Sequence, residues 1–245
     1  MTNFNNVVAV IPFYNEERTI AQVIEQTLIY VDKIILIDDG STDNSLSQIP
    51  KDNRIILIKN SQNKGKGYSL NQGFKKAYEI EAKITITLDA DLQHDPNFIP
   101  YFLKKMISYD IIIGNRMHSL KKMPFHRILS NKITSFLMTI KTKQKILDSQ
   151  SGFRAYKTEI LPEILPLSCG FEAESEILVN ASRKNYKIGF VDIPTVYGEE
   201  VSKMRAIDTI IGFIKVMLKW IIQSIYPNHA TFYPDLYFYQ WKLIY

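Results

Sequence analysis

This sequence of 245 residues lacks several features that would each indicate a particular class of protein. Cys169 is the single cysteine, so no internal disulfide can form and a reducing compartment is indicated. The sequence contains no run of about 18 uncharged apolar residues, so no membrane-spanning helix is predicted. The first residues carry no basic segment followed by an apolar one, so we expect no signal peptide. These absences favour a cytoplasmic protein.

Acidic residues are missing from one long segment, which runs from Asn115 to Leu147. The basic residues of this segment are Arg116, Lys121, Lys122, Arg127, Lys132, Lys141, Lys143 and Lys145. The formal net charge of the whole chain is only +5, so the positive charge is concentrated here. Such a block is typical of a surface that meets phosphate, nucleic acid or an anionic membrane. A solvated basic face is the plain alternative.

The first half of the chain alternates short apolar runs with helical patterns. With 46% apolar residues, the chain can bury the core of one domain. Strands are predicted at Val7 to Ile11, Lys33 to Ile37, Arg54 to Ile58, Lys83 to Leu88 and Asp110 to Ile113. Helices are predicted from Asn15 to about Tyr30, from Gly67 to Ile80 and from Asn97 to Ser108. This alternation predicts an α/β fold with a mainly parallel sheet covered on both faces.

The second half is less regular. Helical periodicity covers Pro124 to Ile140 and Glu172 to Lys184, and strands are predicted just after Ser151-Gly152 and at Ile188 to Ile193. A further amphipathic helix is predicted from Ile207 to Ile225, and its apolar stripe suits either a core or a membrane interface.

Two carboxylates stand one residue apart at the end of the fourth predicted strand. Asp89 and Asp91 would raise each other's pKa, and a divalent cation would remove that cost. Gln93 adds an amide oxygen close by. The loops at Pro12–Asn15 and Asp38–Asp39 also follow strands, so a parallel sheet would bring all three loops to one edge. A solvated Asp-rich turn is the alternative for the pair taken alone.

Four segments in this order resemble the family 2 glycosyltransferases, which have the GT-A fold. They are Val10–Glu17, Ile37–Asp43, Asn63–Gly67 and Leu88–Pro96. Ser151–Tyr156 and the stretch from Val196 to Lys203 resemble more narrowly the polyprenyl-phosphate sugar transferases, a group that includes the dolichyl-phosphate mannose synthases. The resemblance implies a GT-A domain over residues 1–200, with a nucleotide-sugar half at 1–120 and an acceptor half at 121–200. Residues 201–245 would then be an amphipathic helix and aromatic tail at a membrane interface.

The resemblance also implies a nucleotide-sugar donor and a bound Mg²⁺ or Mn²⁺. The metal ligands would be Asp89, Asp91 and Gln93, whereas His94 is expected to be structural. The residues expected to bind the donor are Pro12, Tyr14, Glu16, Ile37, Asp39, Lys66, Asp89, Ala90 and Asp91. The glycines around Lys66 would let the backbone approach a ligand, and the helix that follows would favour an anion. A simple turn is the alternative there.

A polyprenyl phosphate is the acceptor that the resemblance implies, with a membrane surface as partner and no nucleic acid. The residues expected to hold its phosphate are Arg116, Arg127, Ser130, Ser135, Lys203 and Arg205. Asp91, Arg116 and Arg127 are the expected catalytic residues. The sequence departs from the group at Asn131, where many relatives have arginine, and at Val196-Tyr197. An additional membrane-protein partner is left open.

Three alternatives remain at this stage. A related enzyme could transfer sugar to a glycan hydroxyl, with Glu174 or Glu176 as general base, whereas an ionised phosphate acceptor needs none. A sugar nucleotidyltransferase would usually have a glycine-rich loop after its first strand, and Pro12–Asn15 contains no glycine. The third alternative is a non-catalytic scaffold at a membrane.

Overall fold

The computed structural model describes residues 5–118, 123 and 125–194. The strands are β1 (Val7–Phe13), β2 (Lys33–Asp38), β3 (Ile55–Lys59), β4 (Ile84–Thr87), β5 (Ile111–Asn115), β6 (Arg154–Lys157) and β7 (Ile188–Asp192). The helices are α1 (Ile20–Thr27), α2 (Lys66–Glu79), α3 (Ile99–Lys105), α4 (Phe125–Thr142), α5 (Leu161–Ile164) and α6 (Ala173–Arg183). Short 3-10 turns cover Ser45–Gln48, Pro96–Phe98 and Thr158–Ile160.

The seven strands form one sheet in the order β3-β2-β1-β4-β6-β5-β7. All neighbouring pairs are parallel except those of β6, which runs antiparallel to both β4 and β5. The predicted α/β fold with a mainly parallel sheet is therefore confirmed. Because β2, β1 and β4 are parallel neighbours, the loops that follow them leave from the same edge, as expected.

Helices cover both faces of the sheet, and the alternation along β1 shows how. Val8 and Val10 belong to a core cluster with side chains of α2 and α6, whereas Ala9 and Ile11 belong to a second cluster with α1 and α3. Successive strand residues point to opposite faces, so a run of uniformly apolar residues fits a strand buried on both sides. This explains why the inner strands read as continuous apolar runs in the sequence.

Helix α1 begins later in the chain than the sequence pattern predicted. Asn15, Glu16 and Glu17 do not form its first turn, because α1 begins only at Ile20. Asn15 has a positive φ of 54°, which does not fit a right-handed helix. Glu16 and Glu17 instead donate their backbone N–H groups to side chains of the loop that follows β2. The two acids therefore belong to the edge of the sheet rather than to the helix.

Helix α4 has its apolar face outside and its polar face inside. The exposed apolar residues lie three or four positions apart and are 48% to 78% exposed, namely Phe125, Leu129, Ile133, Phe136 and Ile140. The buried residues of the opposite face are Asn131, Thr134, Ser135, Met138 and Thr142. The predicted helical period is confirmed, but most of its apolar positions do not enter the core. Among the described residues, no helix combines the length and the apolar character that a membrane crossing requires.

Candidate active site

The loops after β1 and β2 are joined by hydrogen bonds between side chains and backbone. The Oδ1 atom of Asn15 accepts from the backbone N–H of Thr42 at 2.8 Å, and the N–H of Asn15 donates to Oγ of Ser41 at 3.0 Å. The N–H of Glu16 donates to Oγ of Ser45 at 2.7 Å. These bonds fix the backbone of the first loop, on which Tyr14 and Glu16 lie half-buried at the sheet edge. Pro12 lies in β1, two residues before Tyr14, and is also half-buried.

Asp38 and Asp39 both accept hydrogen bonds from the protein itself. Oδ1 of Asp38 accepts from the N–H of Ser41 at 2.8 Å, which closes the turn after β2. Asp39 accepts from the N–H groups of Lys64 at 3.0 Å and Gly65 at 2.9 Å, and from the side chain of Asn60 at 2.9 Å. Asp39, predicted to bind the donor, thus first anchors the loop that leads into α2.

Two other predicted donor residues have their side chains in the core. Ile37 is fully buried, and its side chain packs beside Gly73 of α2. Ala90 is 4% exposed and belongs to the core cluster on the other face of the sheet. Any contact of these two residues with a donor would therefore involve main-chain atoms.

The N-terminus of α2 is closed by another part of the chain. The N–H groups of Gly67 and Tyr68 donate to the carbonyl oxygen of Cys169 at 2.7 and 3.3 Å. A Cβ atom on Gly65 would lie 2.4 Å from that carbonyl oxygen, and one on Gly67 would lie 2.3 Å from the carbonyl oxygen of Ser168. The glycines therefore admit the loop at 168–170 rather than a ligand. Two N–H groups of this helix terminus are thus engaged by the chain itself.

Asp89 and Asp91 follow β4 at the same edge. Burial opposes the charge of Asp89, but the ammonium group of Lys66, together with smaller effects of other positive groups such as Arg116, lowers the pKa of Asp89. Burial and the charge of Asp89 together raise the pKa of Asp91, and the carboxylate of Glu16 adds to this effect. The pair therefore carries the mutual repulsion that the sequence predicted, and a cation between them would relieve it.

His94 supports this loop as a neutral ring. Burial lowers its pKa to about 4, and its Nδ1 accepts the backbone N–H of Asp89 at 3.0 Å. The distance of 3.8 Å from Nδ1 to Oδ2 of Asp89 is thus no ion pair. The ring stacks on Phe153, with centroids 5.4 Å apart. His94 is a structural residue in these contacts.

The donor set of the Asp89–Asp91 loop fits a hard divalent cation only as a partial shell. Within the described part of the chain, no cluster of three or more His, Cys, Asp and Glu side chains could hold a metal ion. Mg²⁺ commonly takes one or two protein carboxylates and completes its shell with water and substrate phosphates. Two carboxylates, with the half-buried Gln93 beside them, match that pattern. The residues therefore fit a metal that arrives with a diphosphate.

Lys66 joins the Asp89 loop to helix α6. Its Nζ lies 2.6 Å from Oδ1 of Asp89 and 2.7 Å from Oε1 of Glu174. Burial opposes the charge of Lys66, yet these two carboxylates raise its pKa above the ordinary value. Lys66, predicted to bind the donor, forms an ion pair with Asp89, the first of the predicted metal ligands.

Arg116 lies at the end of β5 and forms a two-pronged pair with Asp148. Its Nε is 2.8 Å from Oδ2 of Asp148, and its Nη2 is 3.0 Å from Oδ1. Asn131 also donates to Oδ1 of Asp148, at 2.7 Å. Asp148 is fully buried, and its pKa is lowered because Arg116 and the hydrogen bonds outweigh the effect of burial. Asn131, at the position where the family resemblance led us to expect arginine, thus orients the carboxylate that holds Arg116.

The two serines predicted to hold a phosphate are placed differently. Ser135 is 4% exposed, donates to Oδ1 of Asn131 at 2.8 Å and accepts the N–H of Ser149 at 2.9 Å. Ser130 is half-buried, and its hydroxyl accepts from Gln150 at 3.4 Å. Arg127 is half-buried on the first turns of α4. Ser135 therefore belongs to the internal network of α4, whereas Ser130 and Arg127 lie nearer its surface.

The two predicted bases are both engaged with the protein. Oε1 of Glu174 pairs with Lys66, and Oε2 of Glu176 accepts the N–H of Ser168 at 2.9 Å.

The predictions for Lys203, Arg205, Val196-Tyr197, the helix from 207 to 225 and the aromatic tail lie outside the described residues, as does the basic pair Lys121-Lys122.

Residues 8–165 match the family model described as Glycosyl transferase family 2. This chain belongs to that family. The match spans β1 to α5 and contains every loop that contributes an aspartate to the site.

Relatives and solved structures agree with this assignment. The family 2 chain is 35% identical over 230 residues to the UDP-N-acetylglucosamine--dolichyl-phosphate N-acetylglucosaminyltransferase of Methanococcus voltae, covering 83% of this chain and 90% of the relative. It is 31% identical over 172 residues to the undecaprenyl-phosphate 4-deoxy-4-formamido-L-arabinose transferase of Proteus mirabilis, covering 66% and 52% of the two chains. The resemblance to the polyprenyl-phosphate sugar transferases is thereby confirmed.

A solved structure of glucosyl-3-phosphoglycerate synthase from Mycobacterium tuberculosis, in complex with Mn²⁺, UDP and phosphoglyceric acid, superposes with a TM-score of 0.64. The identity is 18%, and the alignment covers 91% of this chain and 78% of the other. At this identity the likeness concerns the fold, and the predicted GT-A fold is confirmed.

Several residues of the site in this family 2 chain were not predicted from its sequence. Asp148 is the first acid after the acid-free segment, and that isolated position is a signal that could have identified it as a partner for Arg116. Arg154 is a charged residue in a short buried strand, which also indicates a special role. Asn60 and the carbonyl of Cys169 carry no comparable signal, because neither a lone amide nor a main-chain oxygen stands out in a sequence.

Proposed function

We propose that this chain is an inverting glycosyltransferase that moves a sugar from a UDP- or GDP-sugar to the phosphate of a polyprenyl carrier. One observation carries the proposal. The aspartate pair suited to a metal-bound diphosphate and Arg116 lie at one edge of the sheet, because β4 and β5 both run antiparallel to β6 and therefore end on the same side. A donor diphosphate and an acceptor phosphate could therefore meet there.

On the donor side, Asp89, Asp91 and Gln93 would hold Mg²⁺ or Mn²⁺. When bound, the metal would neutralise the charge that develops on the departing nucleoside diphosphate. Tyr14 and Glu16, on the loop fixed by Ser45, would contact the nucleoside end of the donor. Pro12 and Asp39 border the same edge. The ring of Tyr14 is suited to pack against a base, and the carboxylates of Glu16 and Asp39 are suited to accept hydrogen bonds from the base or the ribose.

On the acceptor side, the phosphate of the carrier is ionised near pH 7 and needs no general base. Arg116 and Arg127 would orient it, since a guanidinium binds phosphate oxygens in pairs. A phosphate oxygen forms the new bond to the anomeric carbon on the face opposite the leaving group. The bond from that carbon to the diphosphate oxygen breaks, its electron pair leaves with the nucleoside diphosphate, and the configuration inverts. Positioning and charge neutralisation would supply most of the rate enhancement.

The carrier is a membrane lipid, and α4 offers a surface that suits a membrane. Its exposed apolar face, defined by Phe125, Leu129, Ile133, Phe136 and Ile140, lies in the acid-free basic segment. An apolar face flanked by Lys and Arg is typical of helices that lie in a membrane interface. We propose peripheral association on the cytoplasmic face of a membrane, with Lys203 and Arg205 as further ligands of the acceptor phosphate.

A screen of UDP- and GDP-sugars would test this function, beginning with UDP-N-acetylglucosamine because the Methanococcus voltae relative is named for it. Purified protein, Mn²⁺ and a short polyprenyl phosphate are incubated with each labelled donor, and the lipid fraction is extracted. We expect label in the lipid fraction, and loss of most of it with Asp91→Asn. Label found only in water-soluble glycan, or release of pyrophosphate instead of a nucleoside diphosphate, would contradict the proposal.

A further inference from the structure

Three charged side chains meet at the site, and one of them is Asp89 of the aspartate pair. Lys66 begins α2, Asp89 follows β4, and Glu174 lies in the first turn of α6. The Nζ atom of Lys66 lies within 2.7 Å of one oxygen of each carboxylate. The side chain of Lys66 is 15% exposed and that of Glu174 is 9% exposed. The side chain of Asp89 is 30% exposed, so the cluster is shielded from water mainly at Lys66 and Glu174, where electrostatic interactions are strong.

Glu174 is also held from the side away from Lys66. Nη1 of Arg154 donates to the main-chain oxygen of Glu174 at 2.8 Å, and Nη2 lies 3.9 Å from Oε2 of Glu174. Arg154 is itself fixed by the carbonyl oxygens of Ser149 and Ser151, at 2.9 and 2.7 Å. Both the main chain and the carboxylate of Glu174 are thus constrained by a buried arginine.

Gly152 closes the third side of the cluster. A Cβ atom at this position would lie 2.8 Å from Nζ of Lys66, 2.9 Å from Oδ2 of Asp89 and 3.0 Å from Oε1 of Glu174. All three distances are shorter than ordinary contacts, so the charged atoms can keep their arrangement only because residue 152 has no side chain. The backbone of the chain is shaped around this cluster.

We infer that Glu174 is a positioning residue, which holds Lys66 against Asp89 and so orients the Asp89 carboxylate for a divalent cation, and that it is not a general base. The inference rests on the proposed function, since the cation belongs to the donor complex. It follows from the contacts, because Oε1 of Glu174 pairs with Lys66 and Oε2 faces the buried guanidinium of Arg154. Glu176 has a separate partner in the backbone of Ser168.

Glu174→Gln removes the charge and keeps the shape of the side chain. Lys66 would then lose the second carboxylate that fixes its position, so the Asp89 carboxylate would no longer be held in one orientation. Loss of a residue that orients a metal ligand commonly costs 10- to 100-fold in metal affinity, so we expect the Kd for Mn²⁺ to rise about 10-fold. The rate should return to within a few-fold of the unchanged enzyme when Mn²⁺ is saturating. A general base would instead contribute about 10²- to 10⁴-fold at every Mn²⁺ concentration.

The full chain is titrated with Mn²⁺ in the presence of UDP, and free Mn²⁺ is followed by its electron paramagnetic resonance signal. Glu176→Gln is the matched control, because it changes a buried glutamate of the same helix whose carboxylate accepts the N–H of Ser168. Its Mn²⁺ affinity should stay within about 2-fold, which is the scatter expected for a site without direct coupling. Should Glu174→Gln fail to fold, Gly152→Ala keeps every charge and is also expected to weaken Mn²⁺ binding about 10-fold.

The possible failures are distinguishable. Unchanged Mn²⁺ affinity in Glu174→Gln, together with a lost rate at saturating Mn²⁺, would overturn the inference and leave the glycosyltransferase function standing. Unchanged affinity in Gly152→Ala would overturn it as well. A wild-type protein that binds no Mn²⁺ with UDP would overturn both the inference and the metal-dependent function on which it rests.

Discussion

The carboxylate of Asp148 receives the guanidinium of Arg116 through two hydrogen bonds, of 2.8 and 3.0 Å. Asp148 is fully buried, whereas the side chain of Arg116 is 17% exposed. The buried partner therefore fixes the orientation of a cation that still reaches the surface. A guanidinium held in this way is suited to grip a phosphate, because little rotational freedom is lost when the phosphate binds.

Asp148→Asn should impair the acceptor side of the reaction. The guanidinium of Arg116 loses its charged partner and its fixed orientation, and misplacement by about 1 Å can cost roughly 100-fold in rate. We expect kcat/KM for a short polyprenyl phosphate to fall about 10- to 100-fold, while the Kd for UDP with Mn²⁺ stays nearly constant. Steady-state kinetics with varied acceptor measures the first, and calorimetric titration the second. Equal losses for donor and acceptor would argue against the assignment of Arg116.

The same substitution should make stability depend less on pH. Arg116 lowers the pKa of Asp148 below its ordinary value near 3.8, despite burial. A carboxyl whose pKa is lower in the folded state stabilises the fold above its unfolded pKa, and this contribution is lost as the pH falls through the folded pKa. At pH 7 we expect Asp148→Asn to lower the free energy of unfolding by about 1–3 kcal/mol. Urea unfolding from pH 7 to pH 3 should show this difference shrinking below about pH 4, and a constant difference would refute the linkage.

Gly67→Ala should destabilise the protein in the absence of any ligand. Its Cβ would lie 2.3 Å from the carbonyl oxygen of Ser168, so the loop at 168–170 would have to move away from α2. Overpacking of this kind typically costs about 1–3 kcal/mol. Cys169→Ala is the control, because the contact of Cys169 with α2 is made by its carbonyl oxygen. Thermal unfolding should show a lower Tm for Gly67→Ala only. If Gly67→Ala kept the Tm and lost only nucleotide binding, the glycine would serve a ligand after all.

Phe136→Ser should weaken binding to anionic vesicles without lowering the Tm. Phe136 is 65% exposed on the apolar face of α4, so its ring contributes little to the core. Burying an aromatic ring in a membrane interface contributes about 1.5–3 kcal/mol, which corresponds to about a 10-fold or greater loss of affinity. The loss of affinity is measured by sedimentation with vesicles of phosphatidylglycerol and phosphatidylcholine. Tyr101→Ser is the control, since Tyr101 is 61% exposed on α3. Equal binding by both variants would remove α4 from the interface.

Much of the fold could be predicted because strands buried on both faces leave a strong local signal. The apolar runs of β1, β2 and β4 are each followed by the motif that reaches the site, and parallel pairing brings those ends to one edge. The antiparallel insertion of β6 between β4 and β5 was not predicted, because its short run Arg154–Lys157 resembles many other segments. About 70 residues separate β4 from β6 along the chain, and no local sequence pattern predicts pairing over such a distance.

The polar side of the site was harder to predict, and α4 shows why. Its period was correct, but periodicity does not tell which face turns inward, and here Asn131 and Ser135 do so because Asp148 and Ser149 supply partners for them. Buried polar groups are stable only when partners meet them, and these partners come from a different loop.

Local sequence patterns suffice to predict the parallel strands, the aspartates at their carboxyl ends and the membership of a glycosyltransferase family. These follow from local runs and spacings that one stretch of chain contains. That the glycines at the start of α2 admit the loop of Cys169, and that Glu174 pairs with Lys66, depends instead on the tertiary fold. Those outcomes depend on charges and carbonyl groups more than 100 residues apart meeting in a space of a few ångströms, and such encounters are set by packing rather than by sequence pattern.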